Sequence, residues 1–237
     1  PPLRRSPFIR DMERITSSRA YRITYIGVPL VVAGLVVQER DHGFRHLRND
    51  YVPSFRFRYD DYLQYAPAAL MLGLKIGGVR GRSSWGRMLV SDAFSVALMA
   101  GAVNSLKYTC RMPRPDGSNN KSFPSGHTAT AFMAATMLHK EYGGRSPWYS
   151  IAGYSMATVT GVSRMLNNKH WLSDVLVGAG IGILSVVPVL DRGAAEFLYD
   201  QCHMRCNPPK YLQRAFGVYA PLQFMSEPGD CLNPAPD

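Results

Sequence analysis

No stretch of this 237-residue sequence reaches the ~20 consecutive apolar residues of an ordinary membrane-spanning helix, yet only 19% of its residues are charged. Soluble domains usually carry roughly 25%, so the chain is short of charge for a solvated globule and short of length for simple spans. Cysteine is scarce too: Cys110, Cys202, Cys206 and Cys231. A C-x3-C pair with one distant partner does not have the spacing of a zinc site. Three of the four lie near the C-terminus, where they would be disulfide-bonded if exported and thiols if cytoplasmic. A lysine-rich tail and an interleaved aromatic–basic stripe are both missing, which argues against a nucleic-acid partner. There is no internal repeat. The sequence starts at Pro1 without a methionine, so an upstream signal or leader is left open, and none is visible.

What the sequence does have is positive charge. Lysine and arginine outnumber aspartate and glutamate 27 to 17, for a net charge of +10. That excess points to phosphate-bearing partners such as anionic head groups or a phosphorylated substrate. Six uncharged windows follow one another at 23–38, 62–74, 93–106, 122–138, 146–163 and 175–190. Each falls short of a full span, but flanking Lys and Arg can snorkel and lengthen it. Gly178 and Gly182 form a G-x-x-x-G, which allows close helix contact in a bilayer. Mean hydropathy is −0.13, low for a multispanning protein, and the polar ends 1–22 and 191–237 dilute it. Buried helices of a soluble α protein are the alternative reading of the same windows.

The first window, "ITYIGVPLVVAGLVV", is β-branched enough for a strand, but its length favours a helix. Residues 39–61 read as a mixed-charge loop. Asp60 and Asp61 at its end are adjacent, and adjacent helical residues point about 100° apart. Capping of the helix near Tyr62 is therefore expected rather than a shared ligand. Gly77, Gly78 and Gly81 break the chain after the second window, and the third runs into a basic loop at 107–121. The expectation is all-α: a membrane-embedded bundle of about six helices over 23–190. A basic lead-in at 1–22 precedes it, and an irregular Pro- and Cys-containing tail at 191–237 follows.

Three clusters of polar residues sit at boundaries between windows. "KYTCRMPRP" places Lys107 six residues before Arg114 and Pro115; "PSGH" is Pro124 to His127; "SRMLNNKHWLSD" carries Ser163, Arg164, His170 and Asp174. Singly, each has a plain explanation: snorkelling cations, a capped helix with a histidine in its first turn, an i,i+4 surface pair. An up-and-down bundle, however, would bring all three to the same end, so that three cations, two histidines and a carboxylate converge.

Together they resemble the type 2 phosphatidic acid phosphatase family, whose motifs are K-x6-RP, PSGH and SR-x5-H-x3-D, with no departure at a key position. The resemblance covers about residues 60–190. It implies a haloperoxidase-like helical core in a bacterial membrane protein acting on a lipid phosphate or pyrophosphate. Candidate substrates are lipid A, polyprenyl pyrophosphate, phosphatidylglycerophosphate and phosphatidic acid. It also implies roles. Lys107, Arg114 and Arg164 would neutralise the phosphate, and Ser125 and Gly126 would hold it at a helix mouth. His170, oriented by Asp174, would be the nucleophile, and His127 the acid that protonates the leaving group. Protein cations would replace Mg²⁺, so neither metal nor cofactor is expected. With the motif loops outside, sixteen cations fall inside and eleven outside, as the positive-inside tendency requires. Both termini would be cytoplasmic, and the site would face the periplasm or exterior across the inner membrane. Two rivals use the same cations: a vanadate-binding, haloperoxidase-like oxidoreductase and a non-catalytic phospholipid-binding protein.

Overall fold

The computed structural model describes residues 24–190, in which all the regular secondary structure is helical. In chain order the helices are α1 (Gly27–Val37), α2 (Asp41–Tyr51), the single turn α3 (Asp60–Leu63), α4 (Ala66–Ile76), α5 (Trp85–Cys110), α6 (Gly126–Tyr142), α7 (Pro147–Leu166) and α8 (Leu172–Leu190). All six apolar windows became helices. The β-branched first window is α1, because length overrode strand propensity. The basic lead-in at 1–22 and the tail at 191–237, with Cys202, Cys206 and Cys231, lie outside the described residues.

Two boundaries differ from the sequence reading. Residues 39–61 are not a loop throughout: α2 occupies half of them. Its apolar content is low, but its polar residues are arranged on helical spacing. Asp41 is buried and reaches the first turn of α8, accepting from the Ser173 amide at 3.1 Å and from its hydroxyl. Arg45 lies over the Trp171 ring, 5.9 Å from its centroid. The basic loop also starts later than expected, since α5 carries Lys107 in its last turn and ends at Cys110.

α6 sits at the centre, packed against α4, α5, α7 and α8. A helix surrounded on all sides must be apolar all round, and Ala129, Ala131, Ala134, Ala135 and Leu138 are buried on it. α8 meets α6 backbone to backbone, as the G-x-x-x-G anticipated. A Cβ on Gly178 would lie 2.6 Å from the Ser125 carbonyl oxygen, and one on Gly182 would lie 2.9 Å from the Met133 nitrogen. Ordinary contact begins near 3.4 Å, so neither position has room for a side chain.

The outside of the bundle is apolar. Leu89, Val90, Phe94, Val96 and Leu98 of α5 are each more than 40% exposed, as are Val28, Val32, Leu35 and Val36 of α1. α5, 26 residues long, spans about 39 Å at 1.5 Å per residue. Among the described helices it alone is long and apolar enough to cross a membrane, and only 22% of its most apolar stretch is buried within the protein.

Candidate active site

The N-terminus of α6 is the floor of the site. Ser125 is its N-cap in extended conformation, and its hydroxyl accepts from the Thr128 amide at 3.4 Å and pairs with the Thr128 hydroxyl at 2.9 Å. That hydroxyl, expected to face an anion, is instead turned into the helix and buried. Capping satisfies an amide that would otherwise be orphaned. The Gly126 and His127 amides, in the first turn, have no intrahelical acceptor. Lys107 reaches this mouth from α5: its Nζ stands 3.5 Å from the point a Gly126 Cβ would occupy. A side chain at 126 would therefore press on the ammonium group.

α8 supplies the second wall. The Ser125 amide donates to the Asp174 carbonyl at 3.0 Å, which ties the starts of α6 and α8 together. The Asp174 side chain is fully buried. Its Oδ2 accepts from the Trp171 amide at 2.9 Å, from the Ser122 hydroxyl, and faces His170 Nδ1 at 3.4 Å. The imidazole is therefore oriented through Nδ1 and leaves Nε2 for chemistry. Burial, then the charges of Arg164 and Arg114, hold the His170 pKa down at about 4 against the pull of Asp174. At neutral pH the ring is neutral and its Nε2 lone pair is available.

The third wall departs from expectation. Asp60 and Asp61 do share a partner: Arg164 Nη1 donates to Asp60 Oδ2 at 2.8 Å and to Asp61 Oδ1 at 3.3 Å. The same Asp61 oxygen lies 3.1 Å from His127 Nε2. Neither aspartate caps α3, whose N-cap is Tyr59 with no side-chain bond. The 100° argument concerns two groups diverging from a long helix. Here a single turn at a loop end presents both carboxylates to one long guanidinium. The Arg164 partners lie more than 100 residues upstream, so helical spacing could not reveal them. The paired carboxylates of "YDDY" were the one available signal.

Loops close the rim. Lys169 meets Asp116 at 2.7 Å, and Trp171 Nε1 donates to the Pro113 carbonyl at 2.9 Å, so the segments 111–122 and 167–171 are stitched together. Arg114 belongs to the first of them; burial and the nearby Arg164 push its guanidinium below its ordinary pKa. Lys107, Arg114, Ser125, Gly126, His127, Arg164, His170 and Asp174 thus all stand at one end of the bundle. Arg114 Nε, Arg164 Nε and Asp174 Oδ1 are buried there without a hydrogen-bond partner. Buried donors on two cations around a helix mouth are the chemistry of an oxyanion site.

A helical bundle carries a cationic, histidine-bearing site at one end, and part of its sequence is similar to known proteins. Residues 89–192 match the family model of the PAP2 superfamily. It is 52% identical over 158 residues to lipid A 1-phosphatase of Porphyromonas gingivalis, covering 66% of this chain and 36% of that protein. It is 30% identical over 121 residues to lipid phosphate phosphatase 1 of Arabidopsis thaliana, covering 46% and 33%. The chain therefore spans about a third of the length of the curated relatives it matches. Among solved structures it is similar to LpxE of Aquifex aeolicus, at 24% identity, coverage of 61% and 93%, and a TM-score of 0.47. It is also similar to a transmembrane PAP2-type phosphatidylglycerolphosphate phosphatase of Bacillus subtilis, at 18% identity, coverage of 76% and 97%, and a TM-score of 0.48.

Proposed function

We propose that this protein is a membrane-embedded lipid phosphatase that removes a terminal phosphate through a phosphohistidine on His170. The observation that carries the proposal is the buried pair His170 Nδ1–Asp174 Oδ2 at the cationic helix mouth. His170 Nε2 attacks phosphorus as the bond from phosphorus to the lipid oxygen breaks. Asp174 stabilises the positive charge that develops on the ring. Lys107, Arg114 and Arg164 offset the charge gathered on the phosphoryl oxygens, together with the Gly126 and His127 amides. His127 gives its proton to the departing oxygen. It then takes one from the water that attacks the phosphohistidine, and phosphate leaves with both histidines restored. Fixed cations supply what a metal supplies elsewhere, so turnover should survive chelation.

Membrane embedding rests on the exposed apolar residues of α1 and of α5, more apolar surface than water-soluble monomers usually present. The cation asymmetry supports an orientation with the site facing the periplasm or exterior of a bacterial inner membrane. Among candidate lipids, the 52% identical relative named a lipid A 1-phosphatase favours a phosphorylated glycolipid.

Purified protein offered a panel of lipid phosphates should release inorganic phosphate. A rapid quench should trap an acid-labile label that is missing from His170→Ala. Normal turnover by that variant would overturn the mechanism, and loss of activity in EDTA restored by Mg²⁺ would overturn metal independence. A membrane-impermeant thiol reagent on intact spheroplasts should label Asn119→Cys and spare Gly144→Cys; the reverse pattern would invert the orientation.

A further inference from the structure

The end of the bundle away from the candidate active site has a cavity of its own. α6 runs from the helix mouth at Gly126 to Tyr142, about 25 Å at 1.5 Å per residue. Where it ends, a cavity of about 650 Å³ opens between segments 80–82 and 139–145. Its walls are cationic: Arg80, Arg82, Lys140 and Arg145, with His139 beside them. The carboxylate that lines it, Glu141, is buried and already engaged by Lys75 and the Ser83 amide. Among the described residues Arg80, Arg82 and Arg145 pair with no carboxylate. The two segments are fastened to each other. The Arg82 amide donates to the Glu141 carbonyl at 3.1 Å, the Tyr142 hydroxyl to the Val79 carbonyl at 3.3 Å, and Arg145 Nη1 to the Arg80 carbonyl at 2.7 Å. A Cβ on Gly81 would collide with the Glu141 carboxylate, so the crossing is close. Cations that only set a topology need no such framework. Binding groups fixed before a ligand arrives lose less entropy when it does.

Tryptophan marks the depth of this cavity. Trp85 opens α5 just after Arg82, and Trp148 lies in the first turn of α7 just after Arg145; they are 46% and 72% exposed. Beside them Ile76, Leu89 and Ile151 are also exposed. Tryptophan collects where hydrocarbon gives way to head groups, so the cations stand at head-group level. We propose that the cavity binds the phosphodiester of an anionic phospholipid in the leaflet opposite the active site. Arg80 and Arg82 take the phosphate, and the acyl chains lie on the apolar exterior beyond the two tryptophans. Basic pockets at such a level hold anionic head groups, and the arginine fork matches phosphate geometry. This lipid is a resident ligand and not a substrate. The inference rests on the membrane-embedded reading and adds a second lipid site to it.

Two of the chain's three tryptophans flank the cavity, so their fluorescence reports on it. The full chain would be reconstituted in mixed bilayers in which either phosphatidylglycerol or phosphatidylcholine carries brominated, quenching acyl chains. The wild type should favour phosphatidylglycerol by about tenfold in relative affinity, as expected for charge-assisted contacts at a partly exposed site. Arg80→Ala/Arg82→Ala should bring that ratio close to one, and Arg80→Lys/Arg82→Lys should keep a part of it. Arg114→Gln, at the other end, should keep all of it, and so should an excess of inorganic phosphate. A wild-type ratio near one, or one that survives in the alanine variant, overturns the proposal while leaving the membrane reading intact. A ratio lost in Arg114→Gln assigns the preference to the active site and overturns it as well. Loss in inorganic phosphate would make the ligand a free anion, and the lipid assignment falls. If neither lipid quenches, the protein does not meet the bilayer; the membrane reading has then failed and the proposal fails with it.

Discussion

Both ends of this bundle bury a lysine or arginine beside carboxylates, and the two ends treat those charges differently. At the end that holds Lys75, the buried lysine is closed on its counter-ion. Lys75 meets Glu141 at 2.9 Å with both side chains under 10% exposed, and Glu141 also accepts from the Ser83 amide at 2.9 Å. At the end that holds Arg164, charge is left over. Arg114 Nε, Arg164 Nε and Asp174 Oδ1 are buried without partners, and Asp61 is shared between Arg164 and His127. A buried polar atom without a partner costs about 1–3 kcal/mol. Three charged side chains with unpartnered atoms at one end, against a closed ion pair at the other, fit a ligand at the first. A count of buried cations would not separate these ends; the state of their hydrogen bonds does.

Substitutions can break this contrast, beginning with the largest effect. His170→Ala removes the proposed nucleophile and should lower lipid-phosphate turnover by about 10⁴-fold or more, since no other group would form the covalent intermediate. Phosphate release and the quenched phosphoenzyme are the readouts. His127→Ala should cost ~10²–10⁴-fold on an alkyl phosphate. The nitrophenol burst from p-nitrophenyl phosphate should slow much less, because that leaving group departs as a stable anion. Equal slowing of both would make His127 a phosphate ligand instead of an acid.

Asp61→Asn should have a smaller effect, roughly 10-fold to 100-fold in kcat, the range for losing a hydrogen bond to a charged group. It should be concentrated on alkyl phosphates, with KM little changed; a pure KM effect would place Asp61 in binding. The smallest effect on chemistry should come from the other end. Glu141→Gln leaves Lys75 buried without its counter-ion and should destabilise the protein by about 3–5 kcal/mol, read as a lower Tm. The variant that remains folded should retain its rate of phosphoenzyme formation.

Acid sharpens the same contrast. The folded-state pKa of His170, about 4, lies below its ordinary 6.5. The unfolded chain therefore binds this proton more readily. Stability is intact above pH 6.5, falls as the pH drops toward 4, and the loss levels off below that, at about 3 kcal/mol. His170→Gln should flatten part of the fall of Tm with pH across that window. An identical pH profile in the variant would show that burial does not hold the ring neutral.

The site was more legible in the sequence than the scaffold that presents it. Phosphoryl chemistry restricts residue types and their spacing, so Lys107, Arg114, His127, Arg164, His170 and Asp174 could be marked before their surroundings were known. The structure places all six at one end. Asp60 and Asp61 were misread because their partner is distant in the chain and helical spacing speaks only for neighbours. α2 was hidden for a related reason. Its inward face carries Asp41 and Arg45 instead of leucines, so no hydrophobic period announced it. Ser122 and Trp171, which fix Asp174, carry no signature of that role. The Ser125 hydroxyl was expected at the anion, but the demand of a helix terminus for a cap took precedence.

The glycine seam between α6 and α8 has a consequence for how such a protein can change over time. With no side chain at 178 or 182, the separation of the two helices is fixed by backbone radii, as in a strut of fixed length. His127 rides on one helix and Asp174 on the other. The outward residues of α1 and α5 stand far from that seam and are free to drift as the surrounding medium changes. The chain can thus be re-tailored on its exterior without retuning its catalyst. The positions least tolerant of substitution should include two residues that have no side chain and take no part in the chemistry.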